Sequence, residues 1–392
     1  MNVVIPIVSA SRHISGVQQH SLNLARCLLG RPEIAEVHLV GAPHQGAILN
    51  DSVLPADARL SLHFAPMGAS ATDRNLWYYL RLPKLAAELN ADIVHYSYPA
   101  PLNADAFHCQ TVVTLHDLYP YDIPGNFGYP QVFVNRLVLR QSLLAADAIA
   151  CVSQSTLSRL SSFDRVLAEK TARVIPNCVE RHTSVSAESP VPNWRGEPFL
   201  LCVAQHRTNK NLLFLLRVFA QILDMSKLPP ETRLVIVGIE GPETRAILRF
   251  IDANRIAEQV VLLHGISRDE LEWCYRKCRL LVAPSVIEGF GLPVAEALLA
   301  GCHVICSDIP AFREVGGDRC HYIPLDTLAQ EAFVDAIHAA FSQPSPRPTA
   351  IPHLSAPVIA EECRRLYRSL LFSGASAKAL PVETRASKGI LT

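Results

Sequence analysis

Two carboxylates flank a pair of glycines in Pro284-Ser-Val-Ile-Glu288-Gly-Phe-Gly-Leu-Pro-Val-Ala-Glu296. Glycine lets backbone amides approach an anion closely, and a helix that starts just beyond adds partial positive charge. Gly289, Phe290, Gly291 and Leu292 therefore form a candidate phosphate cradle. Carboxylates repel phosphate, so Glu288 and Glu296 are assigned to hydroxyls on either side of it, a sugar at one end and a ribose at the other. A plain glycine turn with a favourable first-turn glutamate would account for Glu296 but would leave Glu288 and the double glycine without a role.

Three further loops carry suitable groups. Ala204-Gln-His-Arg207-Thr-Asn-Lys210 brings two cations that a departing diphosphate needs, the more so because no Asp-x-Asp pair is present to hold a metal. No metal and no cofactor are expected. Thr114-Leu-His116-Asp117 ends an apolar run, so His116 is expected to face a ligand, with Asp117 available to orient it. Ser11-Arg-His-Ile-Ser15-Gly16 supplies a tight turn at Gly16, with Arg12 and His13 as weaker candidates for contact with donor or acceptor.

These loops sit between short aliphatic runs and amphipathic stretches, the rhythm of parallel strands joined by crossover helices. In such a sheet, ligands bind outside the carboxyl ends of the strands. Strands are expected at 3–8, 37–40, 60–64, 93–96, 111–115, 148–152 and 173–175, with helices over 16–29, 75–89 and 131–146 and another opening at Ser153. A polar, proline-bearing stretch then breaks the pattern, and a second series starts at Phe199. That series has strands at 199–203, 234–237, 260–263, 280–283 and 304–306 and helices at 212–223 and 243–254. Ser267-Arg-Asp-Glu270 fits a capping box, and Pro293 suits the first position of a helix. The domains are therefore drawn as 1–178, a linker at 179–197, and 198–355. A helix over 356–372 returns to the first domain, and 373–392 forms a tail.

The bulk numbers agree with two globular domains. The 392 residues exceed what one core usually serves, and 18% charged residues leave little scope for long disordered segments. Thirty-six basic residues balance 36 acidic ones, so no net field exists to hold nucleic acid or an anionic membrane at long range. The apolar start is too short for a signal peptide, and no run reaches membrane-spanning length. Eleven cysteines without a C-x-x-C pair imply reduced, buried thiols in the cytoplasm. Leu76-Trp-Tyr-Tyr-Leu-Arg-Leu-Pro with Lys84, Arg136 and Arg140 offers a surface for peripheral contact with the inner membrane, though a core helix would explain the aromatics equally well.

The Glu288 to Glu296 spacing in its Glu-Gly-Phe-Gly-Leu-Pro context, followed by Ala300-Gly-Cys-His-Val-Ile-Cys-Ser-Asp308 and Phe312-Arg-Glu-Val-Gly-Gly317, resembles the donor half of glycosyltransferase family 4. Val152-Ser153 with Thr156, Val174-Ile-Pro-Asn177 and Gly265 extend the likeness over nearly the whole chain, although Cys178 replaces the glycine usual after Asn177. The resemblance implies a retaining enzyme of α/β class, GT-B fold, in which two Rossmann-like domains face each other across a cleft. It implies that Arg207 and Lys210 bind the donor diphosphate, although in many members the arginine stands five positions before the lysine, which here is Gln205. It further implies that Glu288 binds the donor sugar, Glu296 the ribose, and His116 the region of the anomeric carbon. The His-Asp subgroup is similar to bacterial mannosyltransferases of surface polysaccharide assembly. GDP-mannose is accordingly the favoured donor, UDP-hexose the next, and the acceptor a lipid-linked or growing oligosaccharide.

Other classes fit less well. A nicotinamide dehydrogenase shares the strand and helix rhythm, but its third glycine is missing and the G-x-G here lies deep in the chain. A nucleotide-sugar epimerase or phosphorylase on the same fold, or a catalytically silent binding subunit, are the remaining alternatives. A silent subunit would be expected to lack Glu288 or Lys210.

Overall fold

Aliphatic strands that lack clean alternation bury both faces, which requires helices on each side of a parallel sheet. The structure, a computed structural model, describes residues 1–9, 16–46, 49, 54–68 and 70–374. Its first sheet has seven strands: β1 (Asn2–Pro6), β2 (Glu36–Gly41), β3 (Leu60–Phe64), β4 (Ile93–Tyr96), β5 (Gln110–Leu115), β6 (Ala148–Cys151) and β7 (Ala172–Val174). They lie in the order β3-β2-β1-β4-β5-β6-β7, parallel throughout. The second sheet has β8 (Phe199–Val203), β9 (Arg233–Val237), β10 (Val260–Leu263), β11 (Leu280–Ala283), β12 (His303–Ser307) and β13 (His321–Ile323), in the order β10-β9-β8-β11-β12-β13. Two Rossmann-like halves are thus present, as the sequence predicts. In each, strand order reverses beside the first strand, between β1 and β4 and between β8 and β11, and a crevice opens there.

The helices of the first half are α1 (Gly16–Leu29), α2 (Ala71–Leu76), α3 (Leu82–Glu88), α4 (Tyr119–Asp122), α5 (Gln131–Ala145), α6 (Gln154–Phe163) and α7 (Arg165–Ala168). Those of the second half are α8 (Leu212–Asp224), α9 (Thr244–Ala253), α10 (Arg268–Lys277), α11 (Leu292–Ala300), α12 (Pro310–Gly316), α13 (Ala329–Phe341) and the returning α14 (Ala356–Gly374). Side chains alternate across each strand, so every sheet serves two cores. Phe199 and Leu201 of β8 pack with Trp273 and Leu298, whereas Leu200 and Cys202 pack with Leu215 and Phe219.

One face of the first sheet is covered by α1 and by α14. Ile359, Cys363, Leu366 and Tyr367 of α14 join Val3, Ile5, Leu22 and Ile93 in a single core. Tyr367 Oη lies 2.5 Å from His95 Nδ1, and Arg31 donates to the Pro357 carbonyl at 2.8 Å. The chain therefore crosses between domains twice, and the crossings meet where Val179 N donates to Leu354 O at 3.0 Å. The expected linker is irregular but not slack. His182 and Ser184 contact the Asp269 carboxylate at 2.5 and 2.7 Å, and Trp194 packs edge-on to Trp273 with ring centres 4.8 Å apart.

Several expectations shift. β1 ends at Pro6 rather than Val8, and the helix read over 75–89 is interrupted by a π-helical turn at Trp77–Arg81. β13, α12 and α13 were passed over in the sequence. β13 has only three residues, too few for alternation to register. The capping box forms as expected, with Glu270 N donating to Ser267 Oγ at 3.2 Å and Ser267 N to Glu270 Oε2 at 2.6 Å. All eleven cysteines are free thiols, buried except for half-buried Cys320.

Candidate active site

At the crevice of the second sheet, β11 leads through the glycine loop into α11. Gly291 caps that helix with φ of 103°, a backbone region that favours glycine, and a Cβ there would stand 2.8 Å from the Phe312 ring. Pro293, second in the helix, occupies a position where its missing amide costs nothing. Below the loop, a pocket at the carboxyl ends of β8 and β11 is lined by Cys202, Ala204, Lys210, Ser285, Glu288 and Phe312.

Glu288 is the most heavily engaged side chain here. Its Oε1 accepts from Lys210 Nζ at 2.5 Å and from Ser285 Oγ at 2.8 Å, and its Oε2 accepts from Tyr119 Oη at 3.1 Å. Ser307 in turn donates to the Ser285 carbonyl. Glu288 and Lys210, assigned to different parts of a ligand, are thus paired with each other, with side chains only 10% and 17% exposed. A phosphate arriving at Lys210 would compete for the ammonium and release the carboxylate for hydroxyls. Arg207 is half-buried, its guanidinium 6.0 Å from the Phe127 ring centre, and no carboxylate of the described residues pairs with it. Asn126 Nδ2 of the first domain meets Asn209 Oδ1 of the same cationic loop at 3.0 Å.

Glu296 departs from its expected position. Because α11 starts at Leu292 rather than Pro293, Glu296 is the fifth helical residue, outside the first turn. Its carboxylate is held by Arg268 Nη1 at 2.5 Å and Tyr275 Oη at 2.9 Å. Arg268 and Tyr275 stand seven apart on α10 and so share one helix face.

The first domain closes over this loop. His116, just past β5, donates from Nε2 to the Ser97 carbonyl at 2.8 Å. A carbonyl only accepts, so Nε2 carries the proton and Nδ1 is left as an acceptor. Burial pushes this imidazole down to about 4, against the opposing pull of the Ser97 carbonyl, so it is neutral at physiological pH. The His20 ring stands edge-on to it, with centres 4.9 Å apart. Asp117 does not orient His116. The two side chains engage different groups: His116 Nε2 the Ser97 carbonyl, and Asp117 Oδ1 the Tyr119 amide, from which it accepts at 3.0 Å.

Asp117 faces a second pocket, shared with Tyr119, Asp122, Arg159, Glu288 and Gly289, in which Arg159 pairs with Asp122. Burial raises its carboxyl to about 6, partly offset by the Tyr119 amide and Lys210. Since the folded state holds this proton more tightly than an unfolded chain, stability falls as pH rises from about 4 to 6 and stays lower above. Asp117→Asn keeps the acceptor for Tyr119 N and removes the charge. It is expected to be more stable than the parent at pH 7.5 by about 1–3 kcal/mol, with the gap closing near pH 4, as read by denaturant melts at both pH values. An equal difference at the two pH values would contradict the assignment.

Gly16 lies opposite the cradle: a Cβ placed there would be 3.9 Å from Leu292 Cδ1. Ser11, Arg12, His13 and Ser15 lie outside the described residues. The structure thus brings His116, Glu288, Lys210, Gly16 and the loop Gly289 to Leu292 to one cleft, with Arg207 on its cationic rim. Glu296 is tied one turn further along to α10. Sequence reasoning missed Tyr119, Ser285, Arg268 and Tyr275. Ser285 stands inside the glycine motif, three residues before Glu288, and Tyr119 just beyond the His-Asp motif, two residues after Asp117.

The chain as a whole resembles known proteins. Residues 14–182 match the family described as Glycosyltransferase Family 4, and residues 186–351 match Glycosyl transferases group 1. The chain is 26% identical over 367 residues to O-antigen chain mannosyltransferase B of Escherichia coli, covering 88% of this chain and 90% of that protein. It is 28% identical over 197 residues, half of each chain, to a GDP-mannose:cellobiosyl-diphosphopolyprenol alpha-mannosyltransferase of Xanthomonas oryzae pv. oryzae. Among solved structures, sucrose-phosphate synthase from Thermosynechococcus elongatus superposes with a TM-score of 0.68 at 19% identity, over 95% of this chain and 99% of that one.

Proposed function

The chain belongs to the glycosyltransferases, its halves being family 4 and group 1 domains in the GT-B arrangement, and from that premise we propose a retaining, metal-independent mannosyltransferase. Its donor is GDP-mannose, with UDP-hexose the second choice, and its acceptor a lipid-linked or growing oligosaccharide of a bacterial surface polysaccharide. The observation that carries the reading is the meeting of both domains on Glu288, through Tyr119 from one side and Lys210 and Ser285 from the other. Two relatives named as mannosyltransferases support the sugar, and the name of one, a GDP-mannose:cellobiosyl-diphosphopolyprenol alpha-mannosyltransferase, supports both the guanosine diphosphate and a diphosphopolyprenol-linked acceptor.

In this mechanism the donor diphosphate draws Lys210 and Arg207 to itself, helped by the amides at the start of α11. Freed from Lys210, Glu288 accepts hydrogen bonds from sugar hydroxyls. Neutral His116 accepts one more at Nδ1 near the anomeric carbon. The leaving group departs, and the acceptor attacks, on one face of an oxocarbenium-like centre, with the diphosphate oxygen taking the acceptor proton. Catalysis is then mostly positioning and charge stabilisation. Glu296, held by Arg268 and Tyr275, takes the ribose diol.

The enzyme works in the cytoplasm, in peripheral contact with the membrane that presents its acceptor. No helix among the described residues is long and apolar enough to cross a membrane. Leu76, Tyr79 and Leu80 are exposed, whereas Trp77, Tyr78 and Leu82 are buried, so that helix both packs and presents apolar surface. On α5, Phe133, Val134 and Leu137 are exposed beside Arg140.

Calorimetric titration with GDP-mannose, UDP-glucose, UDP-N-acetylglucosamine and NADH, each with and without EDTA, tests this reading. Tightest binding of GDP-mannose, unchanged by EDTA, is expected. Binding of NADH alone would overturn it, and loss of binding in EDTA would overturn metal independence. Flotation with vesicles containing anionic lipid checks the membrane contact, which a protein left wholly at the bottom of the gradient would refute.

A further inference from the structure

We propose that Glu314 is a positioning residue that latches the two domains shut, with the first turn of α6 as its socket. It rests on the assignment of transfer chemistry to the cleft. The first amides of any helix have no partner within it. In α6, Thr156 N is satisfied locally by Ser153 Oγ at 3.0 Å. The two amides before it donate to a residue of the other domain: Gln154 N lies 2.7 and 3.0 Å from the two Glu314 carboxylate oxygens, and Ser155 N lies 3.3 Å from the second. A negative charge at this end of a helix is favoured by the aligned peptide dipoles.

The same turn also grips the glycine loop. Ser153 Oγ lies 2.6 Å and Thr156 Oγ1 3.2 Å from the Gly289 carbonyl oxygen. Holding that carbonyl fixes the plane of the Gly289–Phe290 peptide, and with it the direction of the Phe290 amide. On the other side of the contact, α12 carries Glu314 two residues beyond Phe312, the ring that backs Gly291. One short helix therefore both supports the cradle and closes the domains over it. A carboxylate that merely capped a helix would matter for stability alone. A latch matters for whether water or acceptor meets the activated donor, because closure is what excludes water from the cleft.

The test uses the full chain, with Glu314→Ala, Glu314→Gln and Gln154→Pro. Gln154 is the first residue of α6, where proline is tolerated, so Gln154→Pro removes one donated amide from the opposite side of the contact. Transfer and donor hydrolysis are followed with GDP-mannose, nucleotide affinity by calorimetry with GDP, and domain separation by small-angle scattering. Glu314→Ala is expected to lose about 10–100-fold in transfer, as misplacement of remote groups commonly does. Its hydrolysis-to-transfer ratio should rise, its radius of gyration should increase, and its GDP affinity should stay near that of the parent, because nucleotide binds the second domain. Gln154→Pro should shift the same quantities in the same direction, and Glu314→Gln, which keeps an acceptor oxygen, should recover most of the transfer. Parental scattering and a parental hydrolysis-to-transfer ratio in both Glu314→Ala and Gln154→Pro would overturn the latch. If the parent itself binds no GDP, the assigned function fails, while the scattering comparison still decides the latch.

Discussion

Glu288→Gln is expected to reduce transfer about 1,000-fold while GDP still binds. The carboxylate now accepts three hydrogen bonds, from Lys210, Ser285 and Tyr119. With donor bound it must exchange the lysine for sugar hydroxyls, and charge-assisted hydrogen bonds of this kind contribute about 1.5–3 kcal/mol each. Two such bonds lost in the transition state correspond to roughly a hundredfold to ten-thousandfold in rate. Glutamine offers only one acceptor oxygen and turns its amide toward groups that themselves donate. It also leaves Lys210 without a charged partner in a site where that side chain is 17% exposed, so a modest drop in melting temperature accompanies the loss. Initial rates at saturating GDP-mannose decide the matter, and a variant within about fivefold of the parent would remove Glu288 from the mechanism.

Gly289→Ala should be nearly as damaging for a different reason. A Cβ at Gly289 would stand 1.8 Å from the His116 carbonyl oxygen, which belongs to the other domain and is main chain, so no side-chain rotation relieves the clash. The backbone φ at this position is not in the left-handed region, so the second domain itself accepts alanine. What must give is the approach of the two domains. Transfer is expected to fall about 100-fold or more, with GDP affinity by calorimetry and the melting temperature little changed. Gly291→Ala makes the contrast, since its clash with Phe312 lies within one domain and should weaken nucleotide binding itself. A Gly289→Ala variant with parental turnover would mean that the closed contact between Gly289 and His116 is not needed for chemistry.

Much of this was legible in the sequence because it is local. Aliphatic runs separated by amphipathic ones point to parallel sheets, and a glycine-flanked helix start is a local pattern that suits an anion. Glu288, Lys210 and His116 could be singled out because each lies in a loop that follows a strand, where the fold presents ligand groups. The sequence could not show that Lys210 and Glu288 pair, since they are 78 residues apart and the pairing depends on two loops meeting at one crevice. Tyr119 reaches Glu288 across 169 residues, and Glu314 reaches Gln154 across 160. Such contacts depend on how two domains dock, which no short pattern encodes. Other contacts were hidden for smaller reasons. Glu296 lies on the second turn of α11, where Arg268 and Tyr275 of α10 reach it, a pairing between neighbouring helices that the loop motif does not contain. Adjacency suggests Asp117 as a partner for His116, yet in the loop after β5 each side chain finds a backbone group of its own, the Tyr119 amide and the Ser97 carbonyl.

The returning helix α14 has a consequence for how the protein is made. Its Ile359, Cys363, Leu366 and Tyr367 complete the core on one face of the first sheet, yet the ribosome delivers them only after the entire second domain. While the second domain is being synthesised, the nascent first domain carries an uncovered apolar face and holds α1 without its neighbour. Transiently exposed apolar surface of this kind is prone to aggregation and is what chaperones cover. A copy interrupted before α14 would therefore expose the surface that a finished copy buries.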